Sequence, residues 1–388
     1  MKYIVTIIGL ICLMACTKEE TTRTAETLGS QERPIAFNDA YTVQPTTRSS
    51  EAFTATKGIP MGQSMGVYAY LHNTDTRDYS TDTPNFMWNQ QATRTIGGEP
   101  FSYSPLKYWP NTESNKLSFI AYFPYTEETP GHTESPEYPT NPTGLRTLLA
   151  NNATGLPTFN FTVKDNAVDQ VDFLVSDVVP NLPETRDTED DPHLPFNDLT
   201  IYDRVRFIFK HMTAKVEFRI VASEEIRKDI VSFKLTDLSV SNICKSGKLT
   251  PTYNPETSVT SFTWSYWATL HNYDFKTYVP QLLLPQTLSN DVKLNLEYEI
   301  TFKSDGTTYQ YDTHGKPVAD QDYKYSNSAT LQLNTMKLTG TDTPLNEWLP
   351  NHHYVYIIRL RANRIEFTGE VVDWGDYDDT NIIDIEER

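Results

Sequence analysis

The stretch Leu117-Ser118-Phe119-Ile120-Ala121-Tyr122-Phe123-Pro124 decides the class of fold. Leu117, Phe119, Ala121 and Phe123 recur at every second position, and a strand places such residues on one face. Pro124 has no backbone N–H to give to a ladder, so the run stops there. The same period of two returns in both directions along the chain. Before it, Val67, Ala69 and Leu71 share a face, with Tyr68 and Tyr70 opposite. After it come Phe159, Phe161 and Val163, then Val205, Phe207 and Phe209, then Val216, Phe218 and Ile220. Val292, Leu294, Leu296, Tyr298 and Ile300 follow, and Tyr354, Tyr356 and Ile358 close the series. Helical signals are few. Ser223 is an N-cap ahead of Glu224 and Glu225, and Thr143 to Asn152 has room for one or two turns. An all-β chain with a few short helices is expected.

The chain has 388 residues, a length that suggests two or three domains. The alternation breaks between Pro180 and Pro195, where Pro183 and Pro192 accompany Glu184, Asp187, Glu189, Asp190 and Asp191. Proline removes ladder donors and clustered carboxylates repel, so this stretch reads as a linker or long loop. It separates an expected N-terminal β-sandwich, 49–190, from a C-terminal one, 191–388, each with room for about seven strands. The formal net charge of −18 disfavours nucleic acid, whose phosphates need Lys and Arg to displace counterions. It equally disfavours docking on anionic lipid through a basic patch.

At the N-terminus, Lys2 precedes an apolar segment from Ile4 to Met14, and Leu13-Met14-Ala15-Cys16 follows. The segment has the length of a secretory apolar region, about 7–15 residues, and is too short to span a bilayer. A small residue directly before cysteine is the pattern of a bacterial lipoprotein signal. Residues 1–15 are therefore expected to be a signal peptide, with Cys16 acylated and anchored in a membrane by its lipid. Residues 16–48 read as a lipidated tether followed by a first strand: Ile35-Ala36-Phe37 and Tyr41-Thr42-Val43 are strand-like, and a polar loop from Pro45 to Ser50 follows. Cys12 would leave with the signal and Cys16 would be blocked. Cys244 then has no partner for a disulfide and reads as a small buried side chain.

Chemistry-bearing patterns are sparse. Gly62-Gln63-Ser64-Met65-Gly66 fits the G-x-S-x-G nucleophile elbow, but that device needs a strand-to-helix turn. A strand-like run, Val67 to Leu71, follows instead, so a glycine-rich turn entering a strand is the expectation. His352 and His353 are adjacent, so on a strand they would point to opposite faces. Following Pro350-Asn351, they are expected in an exposed loop. His211 reads as a satisfied turn or core histidine. Asp373, Asp376, Asp378 and Asp379 match no EF-hand spacing and read as a solvated edge. The expectation is no enzyme, no metal and no cofactor.

Several blocks together resemble the fimbrillins of Bacteroidetes, the pilins of type V pili and their Mfa-like relatives. They are Leu106-Lys107-Tyr108-Trp109-Pro110-Asn111 with Lys116 to Pro124, then Asp172 to Ser176, then Val205 to Val216, then Pro350 to Tyr356, Ile365-Glu366-Phe367 and Val372-Asp373-Trp374. The resemblance implies two transthyretin-like β-sandwich domains in tandem and export as an outer-membrane lipoprotein. Lys18-Glu19-Glu20 is similar to the signal that sends such lipoproteins to the outer face. In such pilins an Arg-specific protease removes the N-terminal segment with its first strand, and a strand from another subunit fills the groove. Arg48 matches that position, with Ser49 as the new N-terminus. Cutting at Arg23 or Arg33 would leave the first strand attached. The resemblance also implies a donor strand near the C-terminus, where Ile383 and Ile385 are the candidates. Asp379 and Asn381 interrupt the apolar row there, which counts against a stalk role and leaves the tip role open. A fimbrial subunit serving adhesion, whose partners are other fimbrial subunits joined by donor-strand exchange, is the function implied. The alternative is a glycan-binding surface lipoprotein that keeps its lipid anchor, with Trp264 and Trp267 as candidate sugar platforms.

Overall fold

A computed structural model describes residues 34–42, 59–74, 77–96, 100–110, 114–127, 142–183, 204–223, 230–267, 270–276, 279–303, 310–311, 317–318, 323–361 and 365–372. The strands of the first half are β1 (Ala36–Thr42), β2 (Ser64–His72), β3 (Met87–Thr93), β4 (Lys116–Phe123), β5 (Leu145–Thr147), β6 (Phe159–Thr162), β7 (Leu174–Ser176), β8 (Val179–Pro183) and β9 (Arg204–His211). There follow β10 (Ala214–Ala222), β11 (Ile230–Cys244), β12 (Ser246–Asn254), β13 (Val259–Tyr266), β14 (Leu270–Asp274), β15 (Gln281–Leu283), β16 (Gln286–Thr287) and β17 (Lys293–Phe302). The last are β18 (Gln310–Tyr311), β19 (Pro317–Val318), β20 (Tyr323–Gln332), β21 (Lys337–Leu338), β22 (Glu347–Trp348), β23 (His353–Leu360) and β24 (Ile365–Val372). Among the described residues, the helical elements are two 3₁₀ turns, at Ala167–Asp169 and Leu333–Thr335. The all-β expectation holds.

Four sheets build two sandwiches. A seven-stranded sheet runs β1-β9-β7-β4-β2-β3, with β8 also paired to β4. It packs on a four-stranded sheet, β13-β12-β6-β5, where Tyr122 meets Phe159 at 4.9 Å between ring centroids and Phe159 meets Phe173 at 5.4 Å. The second sandwich sets a five-stranded sheet, β15-β10-β23-β24-β21, against a four-stranded one, β14-β11-β17-β20. Phe218 and Tyr356, stacked at 5.1 Å, lie in its core with Val240, Leu294 and Leu296.

The sandwiches are not strung like beads. β9 belongs to the first and β10 to the second, with only Met212 and Thr213 between them. β11 in the second sandwich passes through Lys245 into β12, which pairs with β6 of the first from Ser246↔Thr162 to Leu249↔Phe159. One apolar cluster therefore runs through both cores, from Tyr68 and Phe161 to Phe218 and Ile358. The expected division at 190/191 lies outside the described residues; the ladders pass from one sandwich to the other between His211 and Ala214, and β12 then returns. The short helix expected over Thr143 to Asn152 is instead strand β5 and a turn, because Leu145–Thr147 pairs with Phe159–Phe161 of β6. The helical turn expected after Ser223 lies outside the described residues.

Pro251 sits inside β12 without breaking a ladder. It pairs with Phe262 on one side, and β6 reaches only as far as Leu249 on the other. Asn254 turns the β12–β13 hairpin by accepting the Glu256 N–H through its side-chain oxygen at 2.9 Å.

Candidate strand-exchange groove at the first strand

The seven-stranded sheet is apolar on both faces. Tyr68, Tyr70, Ile120 and Tyr122 point into the sandwich core. Val67, Ala69, Leu117, Phe119, Ala121, Phe207 and Phe209 form a second core on the opposite face, roofed by Ile59, Phe101 and Trp109. β1 completes this second core. It pairs in parallel with β9, Ala36 opposite Arg204 and Phe37 opposite Val205. Ile35 is 1 % exposed and Phe37 0 %. They are two apart, so they enter the same face. Together their burial contributes about 3–6 kcal/mol, as an upper bound.

Phe37 sits among three rings, with centroids at 5.2 Å to Tyr103, 5.7 Å to Phe207 and 6.0 Å to Phe119. Such tilted and edge-on pairs add to the plain burial term. The strand has a second wall. Ile35 donates its N–H to the Lys107 carbonyl at 2.8 Å, and Phe101 donates its N–H to the Phe37 carbonyl at 2.8 Å. Tyr103 donates its hydroxyl to the Ile35 carbonyl at 2.7 Å and accepts the Lys107 N–H at 3.4 Å. Burial pushes the Tyr103 phenol above its ordinary value. β1 is thus held between β9 and the 101–107 segment. The strand-like character of Ile35 to Phe37 is visible in the sequence; this second wall is not.

The other sequence-derived candidates fall as follows. Cys16, Lys18, Glu19, Glu20, Arg48, Ser49, Ile383 and Ile385 lie outside the described residues, as does the acidic run from Asp373. Arg48 belongs by sequence to the connection between β1 and β2. Ser64 opens β2 after a turn in which Gly62 takes φ +79°. Its hydroxyl pairs with Thr93 Oγ1 at 2.8 Å and accepts from Gln91 at 3.1 Å. A strand follows it, not the helix that a nucleophile elbow requires. The glycine at 66 has a packing reason: a Cβ there would lie 2.1 Å from the buried Tyr122 ring.

His211 is buried and meets Asp172 at 2.8 Å. His353 corrects the expectation of an exposed loop. It begins β23, is fully buried, and sits 3.2 Å from Glu217. Burial works against ionising Glu217, but its bond with His353 and the adjacent Arg219 outweigh this and hold its carboxyl below the usual range. His352 faces the Pro350 carbonyl at 2.8 Å. Cys244 is half-buried at the end of β11, and burial pushes its thiol up. Trp264 donates its indole N–H to the Met212 carbonyl at 3.1 Å, and its ring lies 6.2 Å from Phe173. Trp264 thus packs partly into the core, and both Trp264 and Trp267 are half-buried. Among the described residues, no group of three or more His, Cys, Asp or Glu could hold a metal ion, and no helix is long and apolar enough to cross a membrane.

Fold and site together define a tandem β-sandwich protein whose first sheet is completed by a strand from the N-terminal end of the chain. A family model described as fimbrillin-like matches residues 47–374. The chain belongs to the fimbrillin-like family. It is similar to Fimbrium subunit Fim1C of Phocaeicola vulgatus, 25 % identical over 422 aligned positions that cover 98 % of each chain. Its fold matches the crystal structure of a fimbrial protein from Bacteroides vulgatus, with a TM-score of 0.55 and 18 % identity, covering 89 % of this chain and 100 % of that one.

Proposed function

We propose that the chain is a structural subunit of a surface fimbria, exported as a lipoprotein acylated at Cys16 and matured by a cut after Arg48. One observation carries the reading: Phe37 of β1 and Ile35 just before it are buried, and the link from β1 to β2 runs through Arg48. A cut there leaves β1 held only by its ladder and its side chains. Its departure would bare the Phe119–Phe207 floor, an apolar groove with unpaired ladder groups on both walls. A strand from another subunit supplies both kinds of contact and joins the two chains without a covalent bond.

In this account the lipid is temporary. It carries the precursor to the outer membrane, where Lys18-Glu19-Glu20 directs it to the outer face, and it leaves with β1. The chain accepts a strand at this groove and offers Ile383 and Ile385 as its own weak donor. The assembled fibre serves adhesion. N-terminal sequencing of surface-extracted protein tests the reading. A start at Ser49 supports it, and a mature form starting at lipidated Cys16 contradicts it.

A further inference from the structure

We propose that β13 is a pairing edge for a second copy of this chain, which lays its own β13 antiparallel against it and joins two sheets side by side. This pairing needs neither the cut after Arg48 nor the departure of β1.

Among the described residues, β13 ends the sheet β13-β12-β6-β5 and pairs with β12 alone. Its 8 residues, Val259 to Tyr266, keep one unbroken register with β12. The Trp267 N–H bonds to the Ser246 carbonyl at 3.3 Å, so those two residues form a hydrogen-bonded pair. Such pairs alternate along an antiparallel ladder, which makes Ser265, Thr263 and Ser261 the next residues bonded to β12. The backbone N–H and C=O groups of Thr260, Phe262, Trp264 and Tyr266 therefore point away from β12, and no group among the described residues takes them. The edge is open: Ser261, Thr263 and Ser265 are exposed, and Val259 is 54 % exposed.

Sheet edges are ordinarily guarded by charge, proline, a bulge or a covering segment. The other longer edge strands here have such a guard. β20 carries Lys324, β14 ends in Asp274, and β8 holds Pro180 and Pro183. β3 bonds back to Ser102 and Ser104, and β1 lies under the 101–107 segment. β13 contains no charged residue, no proline and no glycine. Guards of this kind stop copies of one chain from pairing, so the edge that lacks them fits a copy.

Charge favours the same occupant. The chain carries a net −18, so two copies repel over most of their surfaces. From Ser246 to Trp267 the charged residues are Lys248 and Glu256 alone. They sit at opposite ends of the β12–β13 hairpin. An antiparallel pair therefore brings each Glu256 to the end that holds the second copy's Lys248. With Thr263 opposite the second copy's Thr263, every outward-pointing residue finds a partner: Thr260 meets Tyr266, and Phe262 meets Trp264. Phe262 and Trp264 are half-buried, and this aromatic pairing covers their open sides. One such contact is small and dissociates on dilution; along a fibre many act together and hold fibres side by side.

The test uses the full-length Arg48→Ala chain, which retains β1, so failure here leaves strand exchange untouched. Sedimentation equilibrium in density-matched detergent should show a dimer that grows with concentration up to about 1 mM. Thr263→Lys sets two like charges face to face and should raise the dissociation constant at least about tenfold. That side chain is exposed, so the thermal melt should stay unchanged. Thr263→Cys gives a second readout. Mild oxidation should link two copies through residue 263, whereas Thr330→Cys on β20 should give no such link. A chain that stays monomeric, a dimer indifferent to Thr263→Lys, or linkage at 330 and not at 263 would each overturn the proposal.

Discussion

Phe37 on β1 and Phe207 on β9 lie with ring centroids 5.7 Å apart, tilted by 33°, across a parallel strand pair. Phe207 is two residues beyond Val205, the ladder partner of Phe37, so the contact is diagonal along one face. This pair ties the N-terminal strand to the second core of the first sheet. Phe37→Ala should lower the stability of the full chain by about 3 kcal/mol, read as a fall in the urea midpoint at unchanged slope. A loss below about 1 kcal/mol would show that β1 contributes little to the fold.

Gly66 and Ser64 belong to one sequence pattern but carry different loads. A methyl group at 66 would run into the ring of Tyr122, which is fixed by bonds to Asn89 at 2.7 Å and to the Thr126 carbonyl at 3.0 Å. Gly66→Ala should cost about 2–3 kcal/mol by overpacking. Ser64→Ala removes bonds at a half-buried site and should cost about 1 kcal/mol. Thermal denaturation of both variants checks the order, and the reverse order would contradict this packing.

His72 makes stability depend on pH. Burial lowers its pKa below the ordinary 6.5, and Arg77 and Lys116 reinforce this, while its bond to the Thr74 carbonyl and the nearby Asp82 oppose it. Its other ring nitrogen lies 2.8 Å from the buried Ser118 hydroxyl. Below about pH 6.5 the unfolded chain takes up a proton that the folded chain refuses. The contribution is therefore complete above that pH and is lost as pH falls through the lowered folded value. Urea midpoints should decline from pH 7 to pH 5, and His72→Gln should flatten the slope. An unchanged slope in the variant would contradict the assignment.

Because β9 runs into β10 and β11 into β12, the two sandwiches should melt together. Tryptophan fluorescence and far-ultraviolet circular dichroism are expected to report one coincident transition. Two separated transitions would show that the shared cluster is not cooperative.

Much of this architecture is written in the alternation of the sequence. The runs around Phe119, Phe207, Phe218 and Tyr356 are all strands. The alternation misleads where a strand is buried on both faces. Tyr68 and Tyr70 lie on the face opposite Val67 and Ala69, and both are buried there too, their hydroxyls bonded to Thr147 at 2.7 Å and to the Gly155 carbonyl at 2.7 Å. A phenol with a partner packs like any aromatic ring, and no local pattern reveals the partner. His353 misled for the same reason, since its burial depends on Glu217, 136 positions away in sequence by subtraction. The return of β12 to β6 and the wall made by Phe101 and Lys107 are pairings between distant segments, so local periodicity could not place them. The apolar pair Ile35 and Phe37 was legible; what holds it was not.

In the proposed maturation, β1 is removed and its groove refilled. The most direct measurement is the size of surface assemblies formed by the Arg48→Ala chain, compared with wild type on a gel that preserves non-covalent fibres. Wild type should give a high-mass ladder and Arg48→Ala only lipidated monomer. An unchanged ladder from the variant would contradict it.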